Sequence, residues 1–483
     1  MNNRMGGRFA DEMVRLLGAA AVPPPGLLTR AETAFGTEGF AALLAPDTAD
    51  GVATVLGTCA GEEWPVIPCG AGTWIQPAFR SAADRDTRPP ILLSTARLNR
   101  ITEHEPADLV IGVQAGVPLT HVAEALHTER QWLPLDPAAA PEATIGAVIA
   151  GAAAGPLRSG HGAPRDMVLG VEIATGDGRL LRFGGRVVKN VAGYDGVRLA
   201  VGSRGKLGVI TAAYLRVRGA PRVDRTLAIA CGRDPDGARR GAELALAIRD
   251  GAACDALELL GPALAGNILG GAGAGWTLLV RMLGSDAAVE DGIDRVRRIV
   301  ARFTGGRLPE SGAAHGDGVD DVAVAIWDSV KRAEAEARVA VRFTGSTTSL
   351  PHLLADVLAH GWAPRHARGG SATGMAADGY VEGAGWLIAA HAADGIVRLW
   401  RPIRHRTDNG VGSANDKMDA ADESLARLRQ LSGKHGCTMT YDRVEGPGSA
   451  RAEQRTPAVT ALESRLRHVF DPAGIMRSGG PSW

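Results

Sequence analysis

The stretch Trp64-Pro65-Val66-Ile67-Pro68-Cys69-Gly70-Ala71-Gly72-Thr73-Trp74 runs from a short apolar strand straight into a turn with two glycines and a hydroxyl. Such a turn can point successive backbone N–H groups into one concavity, which is how an uncharged loop holds a diphosphate. Taken alone, it is equally a tight turn without chemistry. Two further glycine-rich clusters follow. The second comprises Leu135-Asp136-Pro137, Ala143-Thr144-Ile145-Gly146-Ala147 and Ala154-Gly155-Pro156-Leu157-Arg158-Ser159-Gly160-His161-Gly162. Small residues of this kind let a backbone approach a flat aromatic ligand, or let two helices pack closely. The third runs from Gly184 through Lys189, Asn190 and Tyr194 to Asp195, and closes with Leu199–Ile210. Of 53 Lys and Arg residues only five are lysines, so Lys189 and Lys206 stand out as compact ammonium groups. Chance placement is the alternative, and for Lys206 it is the preferred one.

Composition bounds the reading. The chain has 483 residues, enough for two or three domains. Glycine accounts for 64 residues without collagen period or low complexity, which favours tight turns and backbone-lined anion sites. Basic and acidic residues number 53 each, a balance that argues against a nucleic-acid backbone as the main partner. Hydrophobic content of 45% and charged content of 22% exclude disorder as the dominant state. Aromatics are 4%, so the core is built chiefly from Ala, Val and Leu. Cys59, Cys69, Cys231, Cys254 and Cys437 are scattered, with no CxxC spacing. That argues against an iron–sulfur cluster, a thiolate zinc site or a disulfide framework, and favours a reducing, cytoplasmic compartment. The first 17 residues lack a signal peptide's apolar run, and Ala143–Gly155 is too short to span a bilayer.

Along the chain, residues 1–34 read as an N-terminal arm with a helix near Phe9–Leu17. Asp47 is a plausible N-cap for a helix to Cys59, and Pro118 opens another helix. Leu109–Gln114 and Val209–Val217 read as strands, and Val168–Thr175 with Arg179–Phe183 as a hairpin around Gly176-Asp177-Gly178. Gly219-Ala220-Pro221 marks a candidate domain boundary. Beyond it, Gly241–Arg249, Ala287–Phe303 and Ala421–Leu431 read as helices. Trp276–Met282, Val339–Phe343 and Gly385–Ala390 read as strands, and Ser311–Asp321 and Arg404–Asp419 as loops. No internal repeat is visible. Neither GxGxxG nor GxxxxGK[ST] occurs, which removes the Rossmann phosphate turn and the P-loop.

In order and spacing the clusters become specific. The GAGT turn, AGV-x-L after Gln114, L-D-P, TIGA, AAAG-x-x-R, the ATGDG hairpin, VVKNVAGYD and GSRGKLGVIT resemble the PCMH-type flavin domain of the vanillyl-alcohol-oxidase superfamily. Gly185–Asp195 and the closing Phe470–Ile475 bring it nearest to the FAD-binding E-type subunits of bacterial glycolate oxidases. The resemblance implies an α+β fold: a two-subdomain FAD-binding domain over 35–220, then an α+β cap over 221–483 with an antiparallel sheet. It implies FAD with its diphosphate on the loop Cys69, Gly70, Ala71, Gly72, Thr73 and Trp74. Thr144, Ile145, Gly146, Ala154, Gly155 and Arg158 would line the rest, with Pro137 and Lys189 also at the cofactor and Ile210 near the adenosine end. Some members tether FAD through a histidine in the first loop. This loop has none, so the expectation is non-covalent FAD.

Departures matter. Ala147 stands where relatives have a second glycine, and His161 where they have tyrosine; His161 either stacks near the flavin or simply sits in its loop. D-type relatives carry H-A-G-D-G-N-x-H for metal and substrate. Here His391-Ala392-Ala393-Asp394-Gly395 ends with Arg398 where the last histidine would fall, and His315-Gly316-Asp317-Gly318 is another fragment. One histidine makes no metal site, so no metal is expected, and His391 remains as the candidate base. The implied activity is oxidation of a 2-hydroxy acid such as glycolate or D-lactate, with electrons leaving to an iron–sulfur subunit beside a second flavin subunit. Any membrane contact would be made through those partners. The alternatives are a non-catalytic FAD-binding assembly or electron-relay subunit, and a sugar or lactone oxidase on the same fold.

Overall fold

The computed structural model describes residues 7–36, 39–74, 88–139, 141–186, 195–234, 236–270, 275–304, 319–322, 324–335, 337–357, 387–391, 394–402, 428–444 and 457–477. The chain forms two compact units: Met1–Gly155 with Gly162–Ala220 and Glu445–Trp483, and Pro156–His161 with Pro221–Val444. The sequence reading gave the C-terminal segment to the cap. The structure instead returns it to the first unit.

Two subdomains build that first unit. In one, β1 (Ala42–Leu44), β2 (Val66–Cys69) and β3 (Ile91–Ser94) form a parallel sheet in the order β1-β3-β2. Its apolar runs suit strands covered on both faces. The helix Ala49–Gly61 buries Val52, Val55, Leu56 and Cys59 against it, and Phe9 and Met13 of the helix Gly7–Leu17 join the same core. The N-cap of Ala49–Gly61 is Thr48 rather than the expected Asp47; its hydroxyl accepts from Gly51 N at 3.0 Å.

In the other subdomain β4 (Ile101–Glu105), β5 (Val110–Gln114), β7 (Val168–Ala174), β8 (Leu180–Gly184) and β9 (Val209–Arg216) form an antiparallel sheet ordered β4-β5-β9-β7-β8. β6 (Gln131–Trp132) pairs with β10 (Arg218–Gly219). The expected hairpin is β7–β8, with Gly178 at φ +81° in its loop. Phe470–Ile475 closes the unit. Phe470 O accepts from Gly176 N at 2.7 Å, and Ile475 O from Val66 N at 2.9 Å. The buried Asp471 carboxylate accepts from Ile475 N and Met476 N, both at 2.9 Å.

The second unit holds β11 (Val223–Gly232), β12 (Ala256–Leu260), β13 (Trp276–Gly284), β14 (Val319–Val322), β15 (Ala337–Thr344), β16 (Leu387–His391), β17 (Ile396–Pro402) and β18 (Thr438–Val444). All pair antiparallel, in the order β14-β11-β13-β12-β16-β17-β15-β18. β11, the helix Asp236–Gly251, β12, β13, the helix Asp286–Phe303 and β14 make one βαββαβ run, with a further helix, Pro262–Leu269, inserted between β12 and β13. β15, the helix Leu350–Val357, β16, β17, helical residues 428–434 and β18 make a second. Each half has the same strand order, mirrored about the β12–β16 pair. The sequence showed no repeat; the topology contains one. The stretch expected as the loop Ser311–Asp321 ends inside β14, whereas 404–419 and most of Ala421–Leu431 lie outside the described residues. Among the described residues no helix is long and apolar enough to cross a membrane.

Asp471 generates a stability prediction. Asp471→Ala leaves two buried N–H donors without an acceptor and is expected to cost about 2–4 kcal/mol in chemical denaturation. A loss below about 0.5 kcal/mol would show that these bonds do not hold the segment.

Candidate functional site

The turn after β2 is fixed by its carbonyls. Thr95 N donates to Cys69 O at 2.9 Å, Ser94 Oγ to Gly70 O at 2.8 Å, and Arg30 Nε to Ala71 O at 2.8 Å. Its donors are treated differently. None of the N–H groups of Gly70, Ala71, Gly72, Thr73 and Trp74 donates a hydrogen bond to another described residue. A loop with these carbonyls tied and its amides unspent has donors that can meet an anion.

Of the other cluster residues, Thr144 meets the turn directly. A Cβ on Gly70 would lie 2.1 Å from Thr144 Oγ1, so only glycine admits this approach. Thr144 is 1% exposed, and its hydroxyl has no hydrogen-bond partner among the described residues. Val117 O accepts from Ile145 N at 2.9 Å and Ala115 O from Gly146 N at 2.7 Å, which positions the helix Ile145–Ala150. Trp74 packs with Leu135, Val148 and Met167. Gly155 runs so close to Asp136, next to the buried Pro137, that a Cβ would fall 1.9 Å from Asp136 O. Ala154 beside it is half-buried. Ile210 sits in β9 with its side chain in the core, so any contact from it to a ligand is made by backbone. Lys189 lies outside the described residues.

An orphaned buried hydroxyl, a cleft that a Cβ would fill and five unspent amides fit a diphosphate with flat rings on either side. The FAD binding domain family matches residues 40–184. The chain carries a PCMH-type FAD-binding domain. Its cofactor is FAD. The chain is 47% identical over 128 residues to glycolate oxidase subunit GlcE of Escherichia coli (strain K12), covering 26% of this chain and 37% of that one. It is 32% identical over 186 residues to glycolate oxidase subunit GlcD of Bacillus subtilis (strain 168), covering 38% of each. The matches thus span under two-fifths of these relatives' length. A solved alkyldihydroxyacetonephosphate synthase superposes with a TM-score of 0.67 at 16% identity, over 96% of this chain and 85% of that one. That likeness extends the fold beyond the FAD-binding domain.

Arg158 and His161 belong to the second unit. His161 Nε2 lies 2.9 Å from Asp255 Oδ1, and Gly160 N donates to Asp255 O at 3.0 Å. Ser159 Oγ donates to Asp394 Oδ2 at 2.5 Å. The candidate base, His391, ends β16 and is 1% exposed, with Nδ1 3.1 Å from Glu258 Oε2. Glu258, 0% exposed, also takes Arg398 NH2 at 2.8 Å, and Arg398 NH1 pairs with Glu334. Burial first, then the guanidiniums of Arg398, Arg158 and Arg342, hold the His391 imidazole well below the ordinary histidine range; a backbone hydrogen bond at Leu257 acts the other way. Sequence reasoning missed Glu258 and Glu334. Glu258 had a signal, as a lone carboxylate in the apolar run Ala256–Leu260.

Thr144→Val removes the orphaned hydroxyl at constant shape. It is expected to leave the apoprotein as stable or slightly more so, while weakening FAD roughly tenfold by fluorescence titration. Unchanged affinity would mean that the hydroxyl does not face the cofactor. His391 gives a pH prediction. The folded chain refuses a proton that the unfolded one binds below about 6.5, so stability falls as pH drops through that value. Denaturation of His391→Gln across pH 5–8 is expected to show a shallower acid slope.

Proposed function

We propose that the chain is an FAD-dependent oxidoreductase, or the flavin subunit of one, acting on a 2-hydroxy acid such as glycolate or D-lactate. The observation that carries the reading is the turn after β2, with its carbonyls bound and its five amides unspent. Gly70–Trp74 would bind the diphosphate, and Thr144, Ile145, Gly146, Ala154 and Gly155 would line the cofactor beyond it. Bound FAD would supply the two-electron acceptor for the hydroxyl-bearing carbon. His391 is the candidate to take the hydroxyl proton, with its Nδ1 3.1 Å from Glu258 Oε2. The names of the glycolate oxidase subunits GlcE and GlcD support the substrate class.

The cofactor would be held without a covalent bond. The loop Pro68–Trp74 has no histidine, and desolvation pushes the Cys69 thiol up to about 12 against a smaller opposing Ser94 hydrogen bond. At neutral pH that leaves almost no thiolate to attack a flavin. The cysteine spacing offers no cluster site in this chain, so the electrons would leave to an iron–sulfur subunit, beside a second flavin subunit in a heteromeric complex, or to a soluble acceptor. An FAD-holding relay subunit is the second reading, favoured by a motif that retains a single histidine at 1% exposure.

Anaerobic addition of D-lactate or glycolate to the purified, FAD-loaded protein is expected to bleach the oxidised-flavin band. In His391→Ala the rate should fall roughly 10²–10⁴-fold with FAD retained. Acid precipitation should leave the flavin in solution. Flavin that stays oxidised with every hydroxy acid would overturn catalysis by this chain and leave the relay reading.

A further inference from the structure

Two carboxylates and an imidazole lie together where β12 meets β16, and such a donor set suits a divalent metal. They are Glu258 on β12, Glu334 on the helix Ile326–Ala335, and His391 at the end of β16. β12 and β16 pair Leu259 with Ala390 and Leu260 with Ala389, so Glu258 and His391 come next in line. β17 supplies a fourth side chain, Arg398, cross-strand from Ala389 and Arg342.

The guanidinium stands among the would-be ligands. Its NH2 is 2.8 Å from Glu258 Oε2, and its NH1 pairs with Glu334. Glu258 Oε2 in turn lies 3.1 Å from His391 Nδ1. Solvent does not screen these charges, since Glu258, Arg398 and His391 are 0%, 6% and 1% exposed. The Glu258 carboxylate in such surroundings requires a cation held at short range, whereas Glu334, 13% exposed at its side chain, is part-screened. Among the described residues no group of three or more His, Cys, Asp or Glu side chains is placed to hold a metal ion. The acids are spread around a planar fork instead of around a point.

We propose that Arg398 is the resident cation of this cluster, neutralising Glu258 and Glu334 in place of a divalent metal and, through Glu258, fixing the orientation of His391. Arg398 is therefore a positioning residue. A guanidinium is neither chelated nor deprotonated under biological conditions, so the charge of the cluster is independent of metal supply. It also offers donors in fixed directions and no vacant coordination position.

The test uses the full-length, FAD-loaded protein with zinc as probe. Wild type is expected to carry no stoichiometric zinc by elemental mass spectrometry and to show no melting shift with either zinc or EDTA. Arg398→His adds a fourth ligand and is expected to take up about one equivalent of zinc and to melt higher with it. Arg398→Ala should melt well below wild type, and Arg398→Lys should recover part of that loss. Imidazole NMR of isotope-labelled histidine should report an altered His391 environment in Arg398→Ala that Arg398→Lys partly restores. Stoichiometric zinc in wild type, an Arg398→His protein that ignores zinc, or an Arg398→Ala protein with wild-type melting and spectra would each overturn the proposal. Should Arg398→His fail to fold, the Lys and Ala variants and the metal content of wild type still decide it.

Discussion

A carboxylate with no solvent exposure, in a strand whose five residues are all buried, constrains how the second unit pairs its strands. Glu258 needs a positive charge within hydrogen-bonding distance, and the neighbouring strands have to be in register to bring one. A slip of one residue between β12 and β16 would put His391 and Glu258 on opposite faces of the sheet. Arg398 reaches Glu258 because β17 pairs Ala389 with Arg398. Through its other nitrogen it also ties the helix Ile326–Ala335 to the sheet by Glu334. One buried charge thereby couples three strands and a helix lying far apart in sequence.

The first unit answers a different electrostatic demand by other means. The turn after β2 contains no cationic side chain of its own, although the Arg30 guanidinium bonds its Ala71 carbonyl. Backbone accounting resolves this. The carbonyls of Cys69, Gly70 and Ala71 are spent on Thr95, Ser94 and Arg30, which leaves the amides as the surplus. That arrangement suits a chain with 53 acidic and 53 basic residues, because unspent amides present local dipoles without adding net charge.

Much of this was legible beforehand, and the gaps have physical causes. Local signals carried the strand–turn at Val66–Trp74, the β7–β8 hairpin and the amphipathic helices, since each depends on residues a few positions apart. The glycine-rich turn was readable because its glycines sit where a side chain would collide, as at Gly70 against Thr144. Long-range facts were not readable. The paired βαββαβ runs share topology without shared side chains, so no sequence period betrays them. The partners of Glu258 lie 133 and 140 residues away, at His391 and Arg398, and nothing in the spacing announces the meeting. Thr48 displaced Asp47 as a cap because either residue satisfies the motif and only the backbone turn chooses.

The return of Phe470–Met476 to β2 makes the first unit discontinuous, with the whole of Pro221–Val444 interposed between its parts. During synthesis the amide of Val66 therefore waits more than 400 residues for the carbonyl of Ile475. At roughly 5–20 residues per second, that delay is tens of seconds. The later-made unit is nearly contiguous in the chain, so it can close while the earlier one still lacks its final edge. The nascent protein thus carries an unfinished parallel sheet through most of its emergence, and the ribosome, rather than the chain's own collapse, times the moment at which that sheet becomes complete.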